Sequence, residues 1–590
     1  MSRELLRKVA LGETPADLVI QNGTLVNVMT RELQANVDIA IKGERIASIG
    51  KMDRVIGPET HVVDATGKYV APGLMDGHMH VESTMLSVTE FAKAALKKGT
   101  TAIFMDPHEI ANVLGTEGVR LMHEEGQRLP LKVFTTFPSC VPATNDLEDA
   151  GANLNEKDIE DGLKWDGVIG LGEVMNFPGV VYNDPKMINE IEATMEANKV
   201  VTGHFPDGAN GMLQAYVASG VDSCHETIAK EQALEKARLG MHIMIREGSA
   251  WQDVKEVIKI ITEEGIDSSN ISLVTDDIYP QTLVEKGQLN HVVRRAMEEG
   301  VDPVVAIQMA TINVARYFQI DKQYGSISPG KIADIILLDD LADVEASTVI
   351  TNGEVIVSDQ ELVKEIPAYK YPDHARDTVK LQRALQPDDF KMFTEQKEQV
   401  EINGIRIIEN NARTAKMTAT LPVTDNVIKM DLEQDIIQLA CIERHKGTGQ
   451  ISLGFAQGFG LKSGAVASTV AHDSHNLLVM GVNQEDMAFA ANKLAESGGG
   501  MIVVEDGEVL AHVPMPIAGL MSDQPIETVV EQVKALEKAW QQLGCTIHAP
   551  FMTFSLIALP VIPEIRISNR GLVDVRKFEL IDVVNRNNRR

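Results

Sequence analysis

A chain of 590 residues with 44% apolar composition can bury more than one core, so two or three domains are expected. A formal net charge of −30 excludes nucleic acid and anionic membrane as partners, because both require a basic surface. Cys140, Cys224, Cys441 and Cys545 are scattered without CxxC spacing, no apolar run has the length of a membrane helix, and the polar start MSRELLRKVALGETPADLVI lacks a signal-peptide core, so a cytoplasmic protein without a disulfide framework is expected.

In chain order, residues 4–10 read as a short helix. From 16 onward come short strands, with hairpin-turn signals at Asn22-Gly23 and Lys42-Gly43-Glu44, and residues 1–71 are expected to form a small antiparallel sheet. From 72 to 320 strand and helix patterns alternate. Eight strand candidates, at 73–76, 101–105, 132–137, 168–171, 200–202, 221–223, 242–245 and 271–274, are separated by helical stretches such as 88–98, 188–197, 227–238 and 251–264. Such alternation predicts an α/β fold built on a (β/α)8 TIM-like barrel, closed by a helix over 303–317. Residues 321–365, with GSISPGKIADIILLDD and ASTVITNGEVIVSDQ, return to hairpin strands and are expected to complete one β-sandwich with residues 1–71. Residues 366–388 read as a linker, and 389–590 as a C-terminal α+β domain.

The chemistry concentrates in PGLMDGHMHVE, residues 72–82. Alternation along a strand sends His78 and His80 to one face, where both imidazoles can reach one cation. In a barrel of this kind the site lies at the carboxyl ends of the strands. Strand four ends at Glu173, strand five at His204, strand six at His225 and strand eight at Asp276. Four imidazoles and two carboxylates suit two divalent cations with one carboxylate bridging, and Zn(II), Mn(II) and Fe(II) all accept such ligands. Around them, Glu82 is expected to hydrogen-bond a ligand imidazole and fix its tautomer. Asp106, His108 and Glu109 close strand two, either facing metal or substrate or opening a capped helix at 110–114. Asp277 is expected to anchor the ligand loop and Arg246 to contact substrate. The segment AHDSHN at 471–476 is read as a cover over the barrel mouth, from the same or a neighbouring subunit, rather than as a further metal site.

The order His-x-His, acid, His, His, Asp on strands one, four, five, six and eight, with a split flanking sheet, resembles the amidohydrolase superfamily. Within it, PGLMDGHMHVEST, MDPHEIANVLG, GLGEVMN, GHFP, CHE, VTDD, GSISPGKIADI and STVAHDSHNLLVMGVN are similar to the bacterial adenine deaminases. Glu173 stands where most two-metal members carry a carboxylated lysine. The resemblance implies hydrolysis of a purine base, adenine, to hypoxanthine and ammonia in purine salvage, by a homodimer or larger homo-oligomer using Mn(II) or Fe(II) in preference to Zn(II). It implies catalytic roles for Asp276, His225 and Glu82: Asp276 accepts the proton of the attacking hydroxide and passes it to the departing amine, while His225 or His204 polarises the ring nitrogen beside C6. Two other readings remain: a cyclic-amide hydrolase of the dihydroorotase or hydantoinase type, which usually has the strand-four lysine, and a catalytically inactive scaffold, which would typically lack some of the six ligands.

Overall fold

The structure, a computed structural model, describes residues 2–585 except 145, 207–210 and 410. Its centre is a ring of eight parallel strands: Leu74–Met79, Thr100–Met105, Lys132–Phe137, Val168–Val174, Val200–Gly203, Ser223–Cys224, His242–Arg246 and Ile271–Val274. They form arcs of five and three strands. The arcs join where the Asp276 N–H donates to the His78 carbonyl at 3.1 Å, and where the Asp222 N–H donates to the Val201 carbonyl at 3.2 Å. All eight expected strands are present, because a parallel strand covered on both faces is a short apolar run bounded by turn residues, and such runs are legible. Strand six is displaced, running over Ser223–Cys224 instead of 221–223.

The helices depart more from expectation. The helix expected over 303–317 is divided into Pro303–Met309 and Ile312–Tyr317. The break follows from the ring: the Ala310 carbonyl turns to accept the Met75 N–H of strand one at 2.8 Å. Likewise 251–264 holds two short helices, Val254–Val257 and Lys259–Thr262, and the helix expected from 227 begins at Lys230.

Residues on both sides of the ring join in one nine-stranded sheet. Tyr69–Pro72 pairs antiparallel with Ile335–Leu338, with Val70 opposite Leu337, and Leu18, Ile20, Ile39, Val70, Ile335 and Ile350 share one core. The sheet is mixed and not purely antiparallel: Leu18–Asn27 runs parallel to His61–Asp64 and Tyr69–Pro72. Lys42-Gly43-Glu44 does join two strands, Glu32–Lys42 and Arg45–Gly50. Asn22-Gly23 does not turn the chain. It lies inside Leu18–Asn27 as a bulge, with Asn22 at φ 62° and its N–H held by Asp38 Oδ1 at 2.9 Å. The turn comes later, where Asn27 Oδ1 accepts the Met29 N–H at 3.1 Å.

The C-terminal residues build a second nine-stranded sheet, which includes Gln399–Ile407, Ile436–Ile442 and Gly500–Glu505, flanked by the helices Gln484–Glu496 and Ile526–Gln542. This unit sits directly on the ring. The Ser522 N–H donates to the Met85 carbonyl at 2.8 Å, and Arg570 grips Asp149 through two bonds of 2.9 and 2.7 Å. No helix of the described residues is long and apolar enough to cross a membrane. A Cβ on Gly23 would overlap Val70 Cγ2 at the bulge, so Gly23→Ala is expected to destabilise the sheet by about 1–3 kcal/mol, read as a lowered calorimetric Tm with kcat of the folded fraction unchanged.

Candidate active site

The ring brings all six candidate ligands together at its carboxyl end, and each is buried except His204, which is only slightly open. Glu173 is the hub. Its Oε2 lies 2.5 Å from His204 Nδ1 and 3.1 Å from His225 Nε2, and its Oε1 lies 3.4 Å from His80 Nε2. Asp276 faces the same space, with Oδ1 3.3 Å from His80 Nε2 and 3.6 Å from His78 Nε2. The potential ligand atoms of His78, Glu173 and His225 lie within 4.8 Å of one another, and so do those of His78, His80 and Asp276.

Local structure sets this geometry. Strand alternation puts His78 and His80 on one face, and Asp276 enters it from φ 58°, a left-handed conformation that aspartate tolerates better than most residues. Asp106 Oδ2 accepts the Glu173 N–H at 2.7 Å, and a Cβ on Gly172 would come within 2.6 Å of that oxygen, so the residue before Glu173 has no room for a side chain. The Lys236 ammonium is wholly buried and donates to the Phe205 carbonyl at 2.7 Å, the Glu226 carbonyl at 2.8 Å and Thr227 Oγ1 at 2.9 Å. One cation thereby ties the segment after His204 to the segment after His225.

The ligand set fits divalent cations. His80 Nδ1 donates to the Asp106 carbonyl at 3.0 Å, which turns Nε2 toward both carboxylates, the orientation ligating histidines adopt. His78 Nε2 is buried without a hydrogen-bond partner. Burial alone would raise the Glu173 carboxyl, but His204 and His225 hold it well below the usual range, and the bond to His80 with the Arg246 guanidinium does the same for Asp276. Both stay anionic, as ligands must.

The remaining expected residues are placed as follows. Arg246 is buried, donating to Asp276 Oδ2 at 2.8 Å and to Asp253 Oδ2 at 2.7 Å, and pairing with Glu226; it orients Asp276 within a charged network. Asp277 accepts a hydrogen bond from Ser83 Oγ, joining the segments that follow strands eight and one. His108 points Nδ1 at Glu173 Oε1, 3.5 Å away, and Nε2 at Glu109 Oε1, 3.7 Å away. The helix after strand two does exist, over His108–Leu114, but Asp106 does not cap it, being engaged with Glu173. Glu82 departs from expectation. Its Oε1 accepts the Ile110 N–H at 3.2 Å, and the tautomer of His80 is set by the Asp106 carbonyl instead. Burial pushes the Glu82 carboxyl up to about 7.

A cavity of about 80 Å³ lies over the cluster, lined by His80, Glu173 and Asp276 from the ring and by Ala412, His472 and Leu556 from the C-terminal unit of the same chain. It shares walls with a wider vestibule of about 390 Å³ between the two units. Sequence reasoning passed over Glu226 and Asp253, the partners of Arg246. Glu226 adjoins His225 in the CHE motif, a signal in plain view, whereas Asp253 and the apolar wall of Leu556, Leu559 and Ile562 carried none.

Replacing Lys236 by Met should orphan three buried acceptors at about 1–3 kcal/mol each. The expected outcome is a lower Tm together with weaker metal retention in a chelator titration, since both His204 and His225 lose their anchor.

Residues 69–356 match the profile of the amidohydrolase family, and residues 411–579 that of the adenine deaminase C-terminal domain. The adenine deaminase of Moorella thermoacetica is 52% identical over 586 residues, covering 99% of this chain and 98% of the relative. That of Clostridium botulinum strain 657 is 49% identical over 580 residues, covering 98% of this chain and 97% of the relative. Adenine deaminase 3 of Rhizobium meliloti is 48% identical over 579 residues, again covering 98% and 97%. Identity at this level along almost the whole length, added to the cluster at the ring's carboxyl end, shows that the chain belongs to the adenine deaminase family of the amidohydrolase superfamily.

Proposed function

We propose that this chain hydrolyses adenine to hypoxanthine and ammonia at the cluster around Glu173. The observation that carries the reading is one buried carboxylate shared by imidazoles from three separate strands, in a chain alike to adenine deaminases over almost its whole length. Amidohydrolases work through a divalent metal centre. Here His78, His80, Glu173, His204, His225 and Asp276 would hold two cations. When bound, the cations supply hydroxide from water near neutral pH, by lowering its pKa toward about 7.

The residues do the rest. Asp276, anionic and held by Arg246, takes the proton of the attacking hydroxide as oxygen adds to C6, while the other proton of the original water ends on the ring nitrogen beside C6. It returns that proton to N6 as the C6–N6 bond breaks, so that nitrogen departs as ammonia and not as an amide ion. His225 or His204, both of which line the cavity, polarises the adjacent ring nitrogen. Glu82 acts at one remove, holding the start of the helix that carries His108 and Glu109. The apolar wall of Leu556, Leu559 and Ile562 excludes bulk water, which strengthens every charge interaction within.

Of the cations open to such ligands we favour Mn(II) or Fe(II) over Zn(II). If iron occupies the site, enzyme purified with iron loses activity on aerobic storage and recovers it with Mn(II) after chelation; equal, oxygen-insensitive activity with every metal would count against that choice. The reaction itself is tested by ammonia release from a purine panel with metal-defined enzyme. Glu173→Gln should hold fewer than two metals per chain by elemental analysis and lose at least about 100-fold in kcat, the upper range for changes even one step removed from a metal. Ring opening of a dihydropyrimidine without ammonia release from adenine would replace this reading with that of a cyclic-amide hydrolase.

A further inference from the structure

Glu109 is held by the C-terminal unit. Its Oε1 lies 2.8 Å from His472 Nδ1, and its Oε2 meets His475 Nε2. Both histidines belong to the segment 471–476, which the reaction described above does not use. Three such groups in contact resemble a further cation site. The tautomer of His475 argues otherwise. Its Nδ1 accepts the Ala471 N–H at 3.2 Å, so the neutral ring carries its proton on Nε2, facing the carboxylate, and has no lone pair there for a metal. The arrangement is a clamp on an anion.

The clamped carboxylate lines the cavity over the metal-ligand cluster, together with His108, His472 and Asp473. One imidazole separates it from the hub: His108 reaches Glu173 Oε1 at 3.5 Å with one nitrogen and Glu109 Oε1 at 3.7 Å with the other. A purine whose C6 meets Glu173 and Asp276 must extend its five-membered ring away from them, by roughly the reach of one further ring. At that distance stands a buried acceptor with no proton to give.

We propose that Glu109 selects a free purine base, its carboxylate accepting the imidazole-ring N–H of adenine, and that His472 and His475 are positioning residues through which the C-terminal unit completes the site. This rests on the proposed reaction and deepens it. A base substituted at that nitrogen, as in a nucleoside, lacks the donor, so the carboxylate held by His472 and His475 forgoes the hydrogen bond that adenine would give it. Sites built around a buried hydrogen-bonding group reject such analogues strongly.

The test compares wild type, Glu109→Gln, His472→Gln and His475→Gln on adenine, 7-methyladenine and 9-methyladenine, with metal content and Tm measured alongside. Wild type should favour adenine by at least about 100-fold in kcat/KM. Glu109→Gln, of the same shape but uncharged, should keep two metals per chain and reduce that preference at least about 10-fold, largely by losing activity on adenine. His472→Gln and His475→Gln should raise KM for adenine more than they lower kcat, with metal content unchanged and Tm lowered by the loss of a buried ion pair. A Glu109→Gln enzyme with the full wild-type preference would overturn the proposal, since rejection would then be steric; so would loss of metal in that variant. A wild type that releases no ammonia from adenine would strike the proposed reaction instead, a result distinguishable from either.

Discussion

Everything at the carboxyl end of the ring is arranged about the two oxygens of Glu173. One faces His204 and His225, the other His80 and His108, so strands one, two, four, five and six converge on a single carboxylate. A charge buried so completely is tolerable only because imidazoles surround it, and in turn it holds them around one point. Its own position is set from behind by Asp106 and by the absence of a side chain at Gly172.

Around that hub, charges are tied pairwise to the backbone or to one another and not left to solvent. Lys236 joins the segments after strands five and six, Asp277 those after strands eight and one, and Arg246 fixes the far side of Asp276. Asp76 accepts from the Thr275 N–H at 3.1 Å and so ties strand one to the residue preceding Asp276. Such ties fix the side chains around Glu173 and Asp276 in position. The C-terminal unit contributes from above: an apolar wall to keep the cavity dry, and two histidines that reach down to Glu109.

Where expectation and structure part, a tertiary contact is responsible. Asn22-Gly23 has the composition of a hairpin turn, yet it is a bulge, because Asp38 takes the Asn22 N–H and Val70 occupies the space beside Gly23. The helix over 303–317 is broken because strand one needs a partner for the Met75 N–H, and Ala310 supplies it. Glu82 lies two residues beyond His80 and invites pairing with an imidazole, but the helix start at Ile110 claims it. None of these competitors is near in sequence to the residue it diverts.

Two periodicities and a spacing were enough to read the eight strands and six candidate ligands from the chain itself. Buried parallel strands are continuous apolar runs, and ligands at their ends follow immediately in sequence, so short-range pattern carries both. Which nitrogen of each imidazole faces Glu173, that Glu226 and Asp253 gather around Arg246, and that His472 and His475 close on Glu109 more than 350 residues away were decided only by the fold. The reason is physical: a hydrogen bond or an ion pair depends on a few ångströms and a direction, and those arise from packing between segments whose separation along the chain leaves no local trace.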